Sequence, residues 1–193
     1  ASAWVNTPSM VRFGFFTSST HGISTTRELE AAHAKANQTL IAVPVLGRPD
    51  LAAAGQLGIV PAGPEEALKR CEPLFQVIAK RVFYAGAKPE SASAIKLANN
   101  AVLGCAITAM GEAFALVRKF GVESQVLYDV MIEGLFGGAP AYVGYGKTMV
   151  DGTYEKAGSP VWIGVKDANL IAAAAYIARV PLPSHDVYIE KLL

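Results

Sequence analysis

The sequence predicts an α/β segment over residues 1–88 followed by an all-α segment over 89–193. Three observations carry this reading. Up to Pro89, short β-rich runs alternate with short helical patterns. Beyond Pro89 the strand signals vanish and long helical periodicities take over. At the junction one helical pattern, from about Ser91 to Phe120, is too long for a small domain to use up. Its roughly 29 residues at 1.5 Å each span roughly 43 Å, so it must pass from one domain to the next or lie along a subunit interface.

Taken in order, the first half opens on a strand at Val11–Thr17 and a helix from Thr25 to about Asn37, for which Ser24 or Thr25 supplies the cap. A strand at Thr39–Leu46 ends in the turn Gly47-Arg48-Pro49-Asp50, and a strand at Gln56–Val60 ends in Pro61-Ala62-Gly63-Pro64. Pro64 stands where a helix start tolerates a missing N–H, so a helix follows from Glu65 to about Ala79, then a strand at Arg81–Tyr84. In the second half Gly121 stops the long helix. Further helices follow at Ser124–Glu133, Ala141–Val150 and Val161–Arg179; Pro181 and Pro183 separate the last of these from a terminal helix beginning at Ser184.

Composition narrows the function. Of 193 residues, 52% are apolar and only 17% charged, against about 25% in an average globular chain. This excess predicts burial in a homodimer interface. Seventeen Lys+Arg against 16 Asp+Glu, with no basic run, leave no electrostatic footprint for nucleic acid. The most apolar window, Ala101–Val117, contains Glu112 and falls short of the roughly 20 residues of a membrane span, so it predicts a buried helix and no membrane partner. Ala1–Met10 shows no signal-peptide pattern, and Cys71 and Cys105 stand apart, as reduced thiols do in a cytoplasmic protein. His21, His33 and His185 are scattered, so spacing assembles no metal site.

The chemistry-bearing candidates open the long helix, in Ala94-Ile95-Lys96-Leu97-Ala98-Asn99-Asn100. Lys96 and Asn100 share a face that continues through Leu103, Ile107, Met110 and Phe114. Partial burial near a helix N-terminus disfavours an ammonium and suits it to proton transfer. Alone, the pattern also fits a surface lysine in the second turn with Asn99 in solvent, and the residues by themselves leave both readings open.

Lys96-Leu97-Ala98-Asn99-Asn100, preceded by Gly86, resembles the catalytic helix of the β-hydroxyacid dehydrogenases, which include the 3-hydroxyisobutyrate and tartronate semialdehyde reductases. Ser19-Thr20, Val43-Pro44-Val45-Leu46-Gly47, Ala54-Gly55-Gln56-Leu57, Glu72-Pro73-Leu74-Phe75, Lys166-Asp167 and Pro181-Leu182-Pro183 fall in family order, so the resemblance covers about residues 17–193. It implies the end of a Rossmann-type nucleotide-binding domain followed by a helical substrate and dimerisation domain. It also implies NAD or NADP as cofactor and a small hydroxy acid or related carbonyl as substrate. Lys96 matches the lysine that protonates the carbonyl oxygen, and Asn100 the amide that orients substrate. Lys166 matches the lysine that reaches toward the cofactor, with Thr20 also on the cofactor side, while Asp167 is expected to hold a structural bond. Leu46, Gly47 and Arg48 occupy the substrate-carboxylate turn, where family members usually carry Ser-Gly-Gly. Leu46 cannot donate a hydrogen bond, whereas Arg48 could bind a carboxylate through two.

One family element has no counterpart. No G-x-G-x-x-G follows a strand; Gly134-Leu135-Phe136-Gly137-Gly138 lies between helices. The expectation is therefore the back of a dehydrogenase without most of its cofactor half, inactive alone, with a non-catalytic helical binding or dimerisation module as the alternative.

Overall fold

The computed structural model describes residues 21–156 and 160–192. The expected strand at Val11–Thr17 and the candidate Thr20 lie outside the described residues. The fold is mostly helical with a small sheet: α1 (Ile23–Lys35), β1 (Val45–Leu46), α2 (Pro49–Ala53), β2 (Leu57–Ile59), α3 (Glu65–Ile78), β3 (Ala79–Val82), α4 (Pro89–Lys119), α5 (Ser124–Gly134), α6 (Pro140–Asp151), a 3₁₀ turn (Tyr154–Lys156), α7 (Val161–Ala178) and α8 (Pro183–Leu192). The chain divides into two compact units, one ending at Ala98 and the other beginning at Asn99, so the division falls inside α4.

In the first unit the sheet order is β1-β2-β3. β1 runs antiparallel to β2, with Val45 opposite Ile59, whereas β2 and β3 are parallel, with Ile59 opposite Val82. The strand expected over Thr39–Leu46 is much shorter. Only Val45 and Leu46 join the ladder, and Ala42 makes an isolated bridge to Ala62. Pro44 explains the gap: it has no N–H to donate and contributes only its carbonyl, which accepts from Val60 N at 3.0 Å. The intervening residues are buried all the same. Ile41, Val43, Ile59, Cys71 and Phe75 form a closed core beneath α3, and that burial pushes the Cys71 thiol up from its ordinary value.

The helix start also differs from expectation. α1 begins at Ile23 on Gly22, so Ser24 and Thr25 lie inside it and cap nothing. Thr26 does the positioning: its buried hydroxyl donates to Gly22 O at 3.1 Å and shares a 2.8 Å hydrogen bond with Ser93 Oγ on α4. Arg27 and Glu90 pair beside it. The Gly47–Asp50 turn runs into the short helix α2, with Pro49 in its first turn.

In the second unit α4 ends as Gly121 predicts. Gly121 adopts φ +73°, Val122 N bonds Val117 O at 3.1 Å, and Gly121 N bonds Arg118 O at 3.1 Å, which satisfies the last carbonyls. Met110, Phe114 and Met131 are the buried cluster, flanked by Phe136 and Tyr142 stacked at 3.7 Å. Gly104 takes the ring of Tyr188 so closely that a Cβ there would stand 2.5 Å from it.

The expectation that Ala101–Val117 is a buried helix too short to span is corrected. Among the described residues, α4 and α7 are each long and apolar enough to cross a membrane by length and composition, and only 17% of the most apolar stretch of α4 is buried. The length of the helix, Pro89–Lys119, is close to that expected; its exposure was not legible, because an apolar stripe has the same pattern whether or not a neighbour covers it.

Candidate functional site

Within the first unit, Lys96 is half-buried on α4 and its Nζ donates to the carbonyl oxygen of Val45 at 2.9 Å. The ammonium is therefore tethered to the strand that leads into Leu46-Gly47-Arg48. Leu46 pairs with Gly58 in the sheet and is half-buried. Gly47 takes φ +141°, a region that favours glycine, and a Cβ at this position would stand 2.9 Å from Leu57 Cδ2. Arg48 is exposed, with Nε 3.5 Å from Asp50 Oδ1, so its guanidinium lies at the surface beside a carboxylate of its own turn.

Within the second unit, Asn100 Nδ2 donates to Asp167 Oδ2 at 2.9 Å. Lys166 Nζ lies 2.9 Å from the other oxygen, Asp167 Oδ1, as an ion pair; that oxygen is buried and receives no bond of hydrogen-bonding geometry. Lys166 thus sits on its neighbour's carboxylate. Burial pushes the Tyr188 hydroxyl upward from its ordinary value, and the nearby Asp167 charge adds to the effect. Burial likewise holds His185 below the usual imidazole value; its ring meets Tyr188 edge-on and its Nε2 has no hydrogen-bond partner.

The sequence-predicted residues thus fall into two groups: Lys96 with the strand before Leu46-Gly47-Arg48, and Asn100 with Lys166 and Asp167. Lys96 and Asn100 are one turn apart on the same continuous helix. Sequence reasoning missed that Asp167 binds Asn100, and it missed the edge-on contact of the buried His185 with the half-buried Tyr188. No local pattern announces a bond between residues 67 positions apart. Among the described residues no cluster of His, Cys, Asp and Glu could hold a metal ion.

Two family models match this chain in sequence order. The one described as the NAD binding domain of 6-phosphogluconate dehydrogenase matches residues 14–86. The one described as NAD-binding of NADP-dependent 3-hydroxyisobutyrate dehydrogenase matches residues 91–191, more than half of the chain. The chain belongs to the β-hydroxyacid dehydrogenase family. That family is one of NAD(P)-dependent 3-hydroxyacid dehydrogenases.

Relatives within the β-hydroxyacid dehydrogenases agree. An uncharacterized oxidoreductase of Bacillus subtilis, YfjR, is 37% identical over 165 residues, covering 86% of this chain and 57% of the relative. The L-threonate dehydrogenase of Escherichia coli K12 is 31% identical over 166 residues, covering 86% of this chain and 54% of that enzyme. Among solved structures, a 3-hydroxyisobutyrate dehydrogenase from Salmonella typhimurium superposes with a TM-score of 0.82 at 29% identity, covering 92% of this chain and 62% of that one. The chain spans a little over half the length of the curated relatives it matches.

Proposed function

We propose that this chain carries the substrate-side machinery of an NAD(P)-dependent oxidoreductase that interconverts a small hydroxy acid and the corresponding carbonyl compound. In this reading residues 1–88 are the C-terminal part of a Rossmann-type nucleotide-binding domain and 89–193 the helical substrate and dimerisation domain. The observation that carries it is the tether of Lys96 Nζ to Val45 O, which supports a proton-transfer role at the start of the substrate turn. Lys96 donates a proton to the carbonyl oxygen on reduction and recovers it on oxidation. Asn100 is the amide expected to orient substrate, and Leu46, Gly47 and Arg48 are the positions expected at the substrate's acid end. Arg48 lies at the surface beside Asp50, so it reaches a carboxylate only by leaving that pair. A nicotinamide cofactor would supply the hydride, and Lys166 and Thr20 are the positions that would lie on its side.

The described residues do not fit a dinucleotide's pyrophosphate. The glycines that precede α3 and α4, Gly63 and Gly86, are bonded to each other, Gly63 N to Gly86 O at 3.0 Å, and offer no glycine-rich cradle at a helix start. The reading therefore includes inactivity of this chain by itself. Calorimetric titration with NADPH and NADH, together with an assay of NADPH consumption, tests it. No turnover is expected, and consumption that disappears in Lys96→Ala would overturn the inactivity. Joined to a complete nucleotide-binding domain, the same substitution is expected to lower turnover by roughly 10²- to 10⁴-fold; unchanged turnover would remove Lys96 from the reaction.

A second reading, a non-catalytic helical module, draws on the exposed apolar surfaces of α4 and α7, where Val102 and Trp162 face outward. Both readings share a cytoplasmic homodimer with an interface above about 2,000 Å². A monomeric mass by light scattering at micromolar concentration would sink the dimer.

A further inference from the structure

Asp167 makes a contact whose direction is dictated by its chemistry. It lies on α7 with its side chain only 14% exposed, and its Oδ2 accepts from Asn100 Nδ2 on α4. An ionised carboxylate accepts hydrogen bonds and donates none, so of the two ends of the Asn100 carboxamide it admits only the nitrogen. The two-fold ambiguity of the amide is thereby removed. Lys166 Nζ balances the charge at Oδ1, leaving Oδ2 to Asn100. The freed end of the amide is poorly used: Asn99 Nδ2 reaches Asn100 Oδ1 only at 3.4 Å, near the limit of a hydrogen bond, so that oxygen can still take a stronger donor.

We propose that Asp167 is a positioning residue for Asn100: by taking an amide hydrogen it fixes the carboxamide so that Oδ1 is the atom offered to substrate, an acceptor for the hydroxyl hydrogen of a small hydroxy acid. The inference rests on the reading of Asn100 as the substrate-orienting amide. It adds a preference. An oriented Oδ1 binds an alcohol, which has a hydrogen to give, better than the carbonyl compound formed from it, which has none at that oxygen.

The test uses this chain, with the Asn100 side-chain amide resonances as the readout and 3-hydroxyisobutyrate as the probe. In the wild type one Nδ2 hydrogen is expected to be shifted and protected from solvent exchange. Asp167→Ala should abolish that signature and weaken binding of the probe about tenfold, the effect of one charge-assisted hydrogen bond, while the backbone spectrum stays folded. Asp167→Asn, which keeps the side-chain volume that alanine removes but can either donate or accept, should show two amide environments and an intermediate affinity. A wild-type amide exchanging as in free asparagine, or an amide signature unchanged by Asp167→Ala, would overturn the positioning itself. A protected amide in a wild type that does not bind the probe would overturn the substrate reading of Asn100 while leaving its orientation by Asp167 intact.

Discussion

The two units solve the burial problem differently. The first encloses its own core: Ile41, Ile59 and Phe75 are fully buried between a small sheet and α3. The first still exposes Val77 and Tyr84, but the second, with Met110, Phe114 and Met131 inside, leaves many more large apolar side chains in the open, among them Trp162 at 67%, Phe120 at 79% and Tyr176 at 87% exposure. A sheet backed by a helix can be closed by a handful of inward residues. A set of helices has as many apolar stripes as members, and any stripe without a neighbour stays exposed. The first unit is therefore held by its own packing, while the outer surface of the second is apolar enough to be covered by something else.

The largest effect expected from breaking this contrast is in the closed core. Phe75→Ala should destabilise the first unit by about 3–5 kcal/mol in denaturant unfolding. Phe114→Ala should fall at the low end of that range, because its buried neighbours Met110 and Met131 can move into the space. Equal losses at the two positions would show that the second core is as rigid as the first.

Next comes His185, a buried polar group of the second unit. Burial lowers its affinity for protons in the folded state, so below about pH 6.5 the unfolded chain binds a proton that the folded chain resists. Its contribution is present above that pH and is lost as the pH falls toward the lowered folded value. Denaturation midpoints measured between pH 8 and pH 5 should decline more steeply in the wild type than in His185→Leu; parallel profiles would rule the histidine out. Arg179 should give a smaller change of opposite sign. It ends α7 at φ +55°, where a side chain is strained, so Arg179→Gly should stabilise by about 1 kcal/mol or less, read as a rise in the thermal midpoint. The smallest effect belongs to the open face. Val102→Ser and Trp162→Ser should change the stability of an isolated chain by no more than about 0.5 kcal/mol, and a much larger loss, dependent on concentration, would show that these side chains are covered in solution.

How far the sequence reveals this depends on the range of the interaction. Pro64, Glu65 and Gly121 act on their own helices, and α3 and the end of α4 lie close to where they point. Thr39–Leu46 carries strand-forming residues, yet Pro44 withholds a donor and the ladder reduces to two residues. At the candidate site, the lysine and asparagine were legible because helical spacing puts them one turn apart. Their partners were not: Val45 O lies 51 positions from Lys96 and Asp167 lies 67 from Asn100, distances that only the fold closes. The exposure of α4 was illegible for the same reason, since an apolar stripe has the same pattern whether or not anything rests on it.

The contact between Gly104 and Tyr188 has a consequence for how this sequence can drift. Because even a methyl group at position 104 would stand 2.5 Å from the tyrosine ring, alanine there is incompatible with tyrosine at 188 unless the ring moves away. A smaller residue at 188 removes that obstacle and opens a hole that a side chain at 104 can fill. Two positions 84 apart in the chain are thus expected to change in a fixed order across descendants, the tyrosine first and the glycine after it, and a lineage that takes the reverse order must pass through a displaced Tyr188 ring.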